Sequence, residues 1–186
     1  MNIEIIRQIH RGRNNIYIVE YKGRVYILKK PNRKHRRKSL KRYLKRIKFW
    51  EKYGLSSVKA IIYHKAILKT YIKGKTFDKI IDKDKQFFSN SSNSSNSNDS
   101  SNELIALRRF VELLIDSKHF IHDMKMSNLV YSENKFQIID SGPIYKRRSK
   151  SSLKKEYQKI LYIKWSKLLD STKERRHLKK FLKLRI

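Results

Sequence analysis

Apolar and polar residues alternate through the first thirty positions in three pieces, Ile3 to Ile9, Ile16 to Tyr21 and Arg24 to Lys29. A period of two is the pattern of a half-buried strand. Lys22-Gly23 between the second and third pieces predicts a hairpin. From residue 33 the period lengthens. Leu40, Tyr43, Leu44, Ile47 and Trp50 recur at helical spacing, which predicts a helix over 33–53 that Gly54 stops. Strands over 58–63 and 66–72 follow, with His64-Lys65 as their turn. Leu104, Leu107, Phe110, Val111, Leu114 and Ile115 then mark one face of a helix over 103–118, with Asn102 as its cap. Phe136 to Ile139 reads as a short strand, and helices over 152–169 and 171–184 close the sequence. Strands early and helices late make the predicted class α+β, an N-terminal antiparallel sheet with one helix and a reduced helical C-terminal lobe.

One tract interrupts this order. Residues 89–102 are almost wholly Ser and Asn, a composition that cannot bury enough apolar surface to order itself. It predicts a flexible insertion and marks a lobe boundary. The N-terminal lobe covers 1–73, its exit 74–88, and the C-terminal lobe 103–186. A length of 186 residues suits one domain or two small lobes.

Charge narrows the partners. The sequence has 47 basic against 16 acidic side chains, a net charge of +31, so its partners are expected to be anionic. ATP, acidic proteins, phosphorylated saccharides, a membrane surface and RNA all meet that condition. With so many lysines, most read individually as a solvated face. The absence of cysteine excludes a disulfide framework and a thiolate nucleophile, and fits a reducing cytosol. The stretch Met1 to Arg7 has no long apolar core, so no conventional signal peptide is expected. No stretch approaches the roughly 20 apolar residues of a membrane span, which predicts a soluble or peripheral, cytoplasmic protein.

The candidate chemistry lies in residues 119–142. Asp123 is followed by Lys125 and Asn128, then by the short apolar run, then by Asp140-Ser141-Gly142. Phosphoryl transfer needs an acid to orient the attacking hydroxyl and oxygen ligands to hold magnesium against the phosphates. Asp123 can do the first, and Asn128 with Asp140 the second. In this order and spacing the residues resemble the catalytic loop and metal-binding turn of the protein-kinase-like superfamily.

That resemblance implies a minimal two-lobed kinase fold using ATP and Mg2+. It implies that Lys125 neutralises the transferring phosphate and that a lysine of the third strand binds the α/β phosphates. Alternation puts Lys29 on the face of Val25 and Ile27, and a slip of one residue would put Lys30 there instead. Glu51, the only acid between Glu20 and Asp78, is the candidate orienter of that lysine, or else a surface glutamate among lysines. Gly12, in the loop at 10–15, stands where such kinases cover the phosphates, or else in an ordinary hairpin loop. Thr70 to Phe77 resembles an inter-lobe hinge, in which Thr70 and Ile72 would read adenine through their main chains.

Departures from the family pattern are also visible. His122 immediately precedes Asp123, and Ile121 stands where the family carries histidine. Lys69 occupies a position that usually faces the adenine pocket and is usually apolar. Ser141 replaces an aromatic residue and there is no room for a long activation segment, which implies a constitutively assembled enzyme. Lysine two residues after the catalytic Asp favours a Ser/Thr protein kinase with an acidic protein substrate. The compact basic form also resembles lipopolysaccharide core heptose kinases and the small kinase associated with tRNA modification. A basic pseudokinase that binds RNA or anionic lipid is the alternative outside enzymology.

Overall fold

The computed structural model describes residues 3–11, 14–31, 36–89, 102–146 and 149–185, without the side chains of 36–38 and 184–185. It is an α+β protein with an N-terminal sheet. The chain divides into two compact units, Met1–Lys52 with Ser57–Lys73, and Tyr53–Ser56 with Gly74–Ile186. Among the described residues no helix is long and apolar enough to cross a membrane.

The first unit is an antiparallel sheet carrying a helix. Strands β1 (Glu4–His10), β2 (Asn14–Tyr21), β3 (Arg24–Pro31), β4 (Ala60–Tyr63) and β5 (Ala66–Thr70) lie in the order β1-β2-β3-β5-β4. Two tight turns shape it. Lys22 and Gly23 have φ of +53° and +70°, and His64 and Lys65 have +40° and +62°. Positive φ at both central residues is the turn whose twist matches that of the flanking strands. Helix α1 (Arg36–Lys52) buries Leu40, Tyr43, Ile47 and Trp50 of the five residues its apolar spacing picks out, with Leu44 half-buried.

Two strand expectations need correction. β1 is an edge strand that is exposed throughout, and register shifts at Ile5/Arg7 and Gln8/His10 break its period of two. The strand expected over 66–72 ends at Thr70, so Ile72 lies in irregular backbone before Gly74. Gly74 passes hard against the neighbouring strand in its own unit: a Cβ there would sit 2.3 Å from the Tyr131 carbonyl oxygen.

The second unit begins with β6 (Lys75–Thr76) and α2 (Phe77–Lys83), in the stretch expected to be only an exit from the first lobe. Helix α3 (Asn102–Asp116) includes Asn102 instead of being capped by it, and β7 (His119–Ile121) follows. Strands β8 (Leu129–Ser132) and β9 (Lys135–Ile138) join β6 in a three-stranded sheet, and β10 (Ile144–Lys146) pairs with β7. The β8–β9 turn again has two positive φ values, +51° at Glu133 and +57° at Asn134.

Helix α4 (Lys150–Trp165) is capped by the Ser149 hydroxyl, which accepts from the Ser152 amide at 3.2 Å. Helix α5 (Thr172–Arg185) starts with the Ser171 hydroxyl accepting from Glu174 N at 3.1 Å. The Glu174 carboxylate is buried and accepts the amides of Phe88 and Ser89, each at 3.0 Å. Phe77 is the hub of the core, with the rings of Phe136 and Trp165 centred 5.1 and 5.2 Å away. Of the Ser/Asn-rich tract, residues 90–101 lie outside the described residues.

Candidate active site

The site in the second unit begins with a loop pegged from below. Along Asp123 to Ser127 the side chains alternate, with Met124 and Met126 buried while Asp123 is half-buried and Lys125 and Ser127 are exposed. Two apolar pegs thus hold the loop so that Asp123 and Lys125 face outward. Asp123 has φ +64°, a left-handed conformation that aspartate tolerates better than most residues. Strained backbone of this kind persists where surrounding structure over-determines it.

Several bonds over-determine it here. The Asn128 side-chain amide donates to the Asp123 carbonyl at 3.3 Å, and Asn128 N donates to the Lys125 carbonyl at 3.0 Å. Ile139 N donates to the Asn128 carbonyl and Gly142 N to the His122 carbonyl, both at 2.9 Å. The turn carrying Asp140 is therefore stitched to the loop at both ends. Gly142 is the residue that lets it close, since a Cβ there would lie 3.1 Å from the Asp123 Cβ. Asp123, Asn128 and Asp140 are brought together within this unit by these backbone hydrogen bonds and the Asn128 side-chain amide.

Two cations meet at the Asp123 carboxylate. Lys164 Nζ of α4 is 3.2 Å from Oδ1, and Lys125 Nζ is 3.7 Å from the same oxygen. Lys164 has no place in the sequence expectations. Its neighbour Trp165 donates from Nε1 to the Met124 carbonyl at 3.3 Å, and about two turns earlier Tyr157 braces β7. The Tyr157 hydroxyl accepts from Ile121 N at 2.9 Å and donates to the His119 carbonyl at 3.0 Å. Burial holds its phenol well above the ordinary value near 10. Helix α4 therefore supports the loop from three residues, and the buried Ile121 needs no histidine to be fixed.

The donor set suits a hard cation. The Asn128 amide nitrogen is used by the Asp123 carbonyl, which leaves its amide oxygen as an acceptor, and Asp140 offers a half-buried carboxylate. Asp140 Oδ1 also accepts from Ser141 N at 3.0 Å, which orients it. Magnesium asks for one or two such protein oxygens and takes the rest from phosphates and water. Ser141 is buried with its hydroxyl donating to the Gly142 carbonyl at 3.0 Å, so the turn is held by a local bond in place of aromatic packing.

The remaining candidates belong to the first unit. Lys29 is half-buried and Lys30 exposed, with Lys29 opposite Ile16 on β2 and Ile67 on β5. Lys29 Nζ lies 4.6 Å from the centre of the Tyr43 ring on α1. Buried Lys69, opposite Ile27, donates to the Tyr43 hydroxyl at 3.2 Å. Glu51 pairs with Lys59, and both side chains are exposed, 42% and 66%, so of its two readings the surface glutamate is the one seen. The reason is helical geometry, for Glu51 is eight residues past Tyr43, about 12 Å along the axis. Thr70 bonds Lys59 twice, N to carbonyl at 2.9 Å and hydroxyl from amide at 3.1 Å. Gly12 lies outside the described residues.

Compared with known proteins, the chain matches no family model and no curated protein sequence.

Proposed function

We propose that the protein is an ATP-dependent phosphotransferase of the protein-kinase-like type, transferring the γ-phosphoryl group of Mg-ATP to a hydroxyl. The observation that carries this reading is Asp123: a strained loop aspartate fixed through Oδ1 by Lys125 and Lys164, with Asn128 and the Asp140 turn stitched beside it. Proteins keep such strain where geometry matters for chemistry. Magnesium, when bound with ATP, supplies charge neutralisation at the phosphates. Asn128 and Asp140 are the residues that would hold it.

In the proposed step Asp123 Oδ2 accepts the proton of the acceptor hydroxyl as its oxygen bonds to the γ-phosphorus. The bond from that phosphorus to the bridging oxygen breaks, and ADP leaves with the electron pair. Lys125, exposed and near the same carboxylate, balances the charge on the transferring group. Lys29 is assigned to the α/β phosphates, and the backbone of Thr70 and Ile72 to adenine.

Lys125, two residues after Asp123, supports a Ser/Thr protein as the acceptor, and a net charge of +31 suits an acidic one. The test is incubation with labelled Mg-ATP followed by separation of protein, saccharide and RNA fractions. Label in protein is the expected result, lost in Asp123→Ala and Asp140→Ala. No label in any fraction, no ATP hydrolysis and no nucleotide-dependent thermal shift would overturn the reading. Label in saccharide or RNA would keep the reaction and replace the acceptor.

A further inference from the structure

We infer that the groove between α4 and α5 is a docking site for an acidic, amphipathic segment of a partner protein. It lies on a face of the second unit apart from Asp123, and the inference stands without the phosphotransferase reading.

Helix α4 carries two stripes. The buried one is Leu153, Tyr157, Leu161 and Trp165. Lys155, Gln158, Lys159, Tyr162 and Ile163 recur at i, i+3, i+4, i+7 and i+8 and form the other. On α5, Lys179, Leu182 and Lys183 repeat the first three of those steps and make the opposite wall. Together they line a groove of about 290 Å³. The Gln158 side-chain amide donates to the Leu182 carbonyl at 3.4 Å, which ties the two helices across it.

Burial sorts the lining into floor and rim. Leu182 is buried, Tyr162 and Gln158 are half-buried, and all four lysines are exposed. Ile163 adds a large apolar side chain that is 46% exposed. Lys155 and Lys159 stand about one turn apart, some 6 Å along the axis, and so do Lys179 and Lys183. None of the lining residues is acidic. Each helix has one acid: Glu174 is buried on the amides of Phe88 and Ser89, and Glu156 does not line the groove. Exposed lysines are common on this chain. What sets these four apart is the cleft they border and the apolar residues inside it.

Two rows of positive charge over an apolar floor select their occupant. A segment with apolar side chains for the floor and carboxylates on its flanks, four residues apart if helical, meets both features at once. Single-stranded RNA is held by stacking on aromatic faces as well as by cations, and Tyr162, the one aromatic residue lining the groove, is half-buried. A flat anionic bilayer would touch the lysines but not Leu182 at the bottom of a concave site.

The experiment is fluorescence anisotropy of two labelled peptides with the full chain, without nucleotide. Both have about 15 residues, some four helical turns, and the same composition of leucine and glutamate. One sets its leucines at i, i+3, i+4 and i+7, and the other scatters them. The amphipathic peptide is expected to bind wild type at least about tenfold more tightly than the scattered one. Lys159→Glu with Lys183→Glu, and separately Ile163→Glu, are expected to weaken it about tenfold or more. A matched reversal outside the groove, Lys154→Glu with Lys180→Glu, is expected to stay within about threefold. Thermal melting is recorded for each variant, and should a groove variant fail to fold, Lys155→Gln with Lys179→Gln takes its place. Equal losses in the two reversals, equal affinity for the two peptides, or no binding of either would overturn the inference. So would a single-stranded RNA or a phosphatidylserine vesicle that binds more tightly than the amphipathic peptide and is lost in the groove reversal alone.

Discussion

The two units handle excess positive charge in opposite ways. In the first, cations gather on a neutral aromatic ring, Lys29, Lys69 and Arg46 about Tyr43. In the second, two cations gather on an acid, Lys125 and Lys164 on Asp123. A ring holds a cation without consuming its charge, whereas a carboxylate consumes it. The second is left with a half-buried acid held in place through Oδ1. A chain this basic thus settles its cations by a counterweight chosen residue by residue.

The contrast breaks most severely at the helix supporting the acid. Trp165→Ala removes a fully buried ring from the Phe77 cluster and the donor to the Met124 carbonyl. Its cost is expected to be about 3–5 kcal/mol, read as a fall in denaturant midpoint at unchanged slope. Lys164→Met comes next. It leaves Asp123 with Lys125 alone, and kcat is expected to drop about 30-fold, roughly 2 kcal/mol, with KM for ATP unchanged. A rise in KM without a change in kcat would place Lys164 outside the acid's support.

A smaller effect separates the units by pH. Tyr157 is neutral in the folded chain far above the pH at which it ionises when unfolded, so the unfolded state binds fewer protons there. Its contribution is complete below pH 10 and is lost as pH rises beyond that value. The stability advantage of wild type over Tyr157→Phe, about 1–3 kcal/mol near neutrality, is expected to shrink by up to about 1.4 kcal/mol per pH unit above 10. Denaturant titrations across that range check it. The smallest effect belongs to the first unit, where Glu51→Gln removes an exposed ion pair and is expected to shift stability by less than about 0.5 kcal/mol.

What could be read from the sequence divides along a physical line. The helices α1, α3, α4 and α5 were legible because each buries residues at a regular period, and the β2–β3 hairpin because Lys22-Gly23 has one conformation that suits it. Asp123, Asn128 and Asp140 could be recognised together because their proximity is made by a loop and one short hairpin. Helix α2 was missed although Phe77, Ile80 and Ile81 follow helical spacing, a pattern too short to stand out beside the hinge-like residues before it. Lys164 had no local mark at all: its contact with Asp123 spans 41 residues and depends on how α4 packs. Tyr43 escaped for a related reason. It reads as core, which it is, and only sheet register reveals that two lysines are aimed at it.

The hairpin turns carry a consequence of their own. His64, Lys65 and Glu133 hold left-handed backbone conformations without being glycine or asparagine, at a cost on the order of 1 kcal/mol each. Both turns connect strands and neither contributes a residue to the proposed chemistry. They are therefore a reserve of stability that substitution by Asn-Gly would release. Drawing on such a reserve, a lineage can accept destabilising changes elsewhere in the chain before the fold gives way.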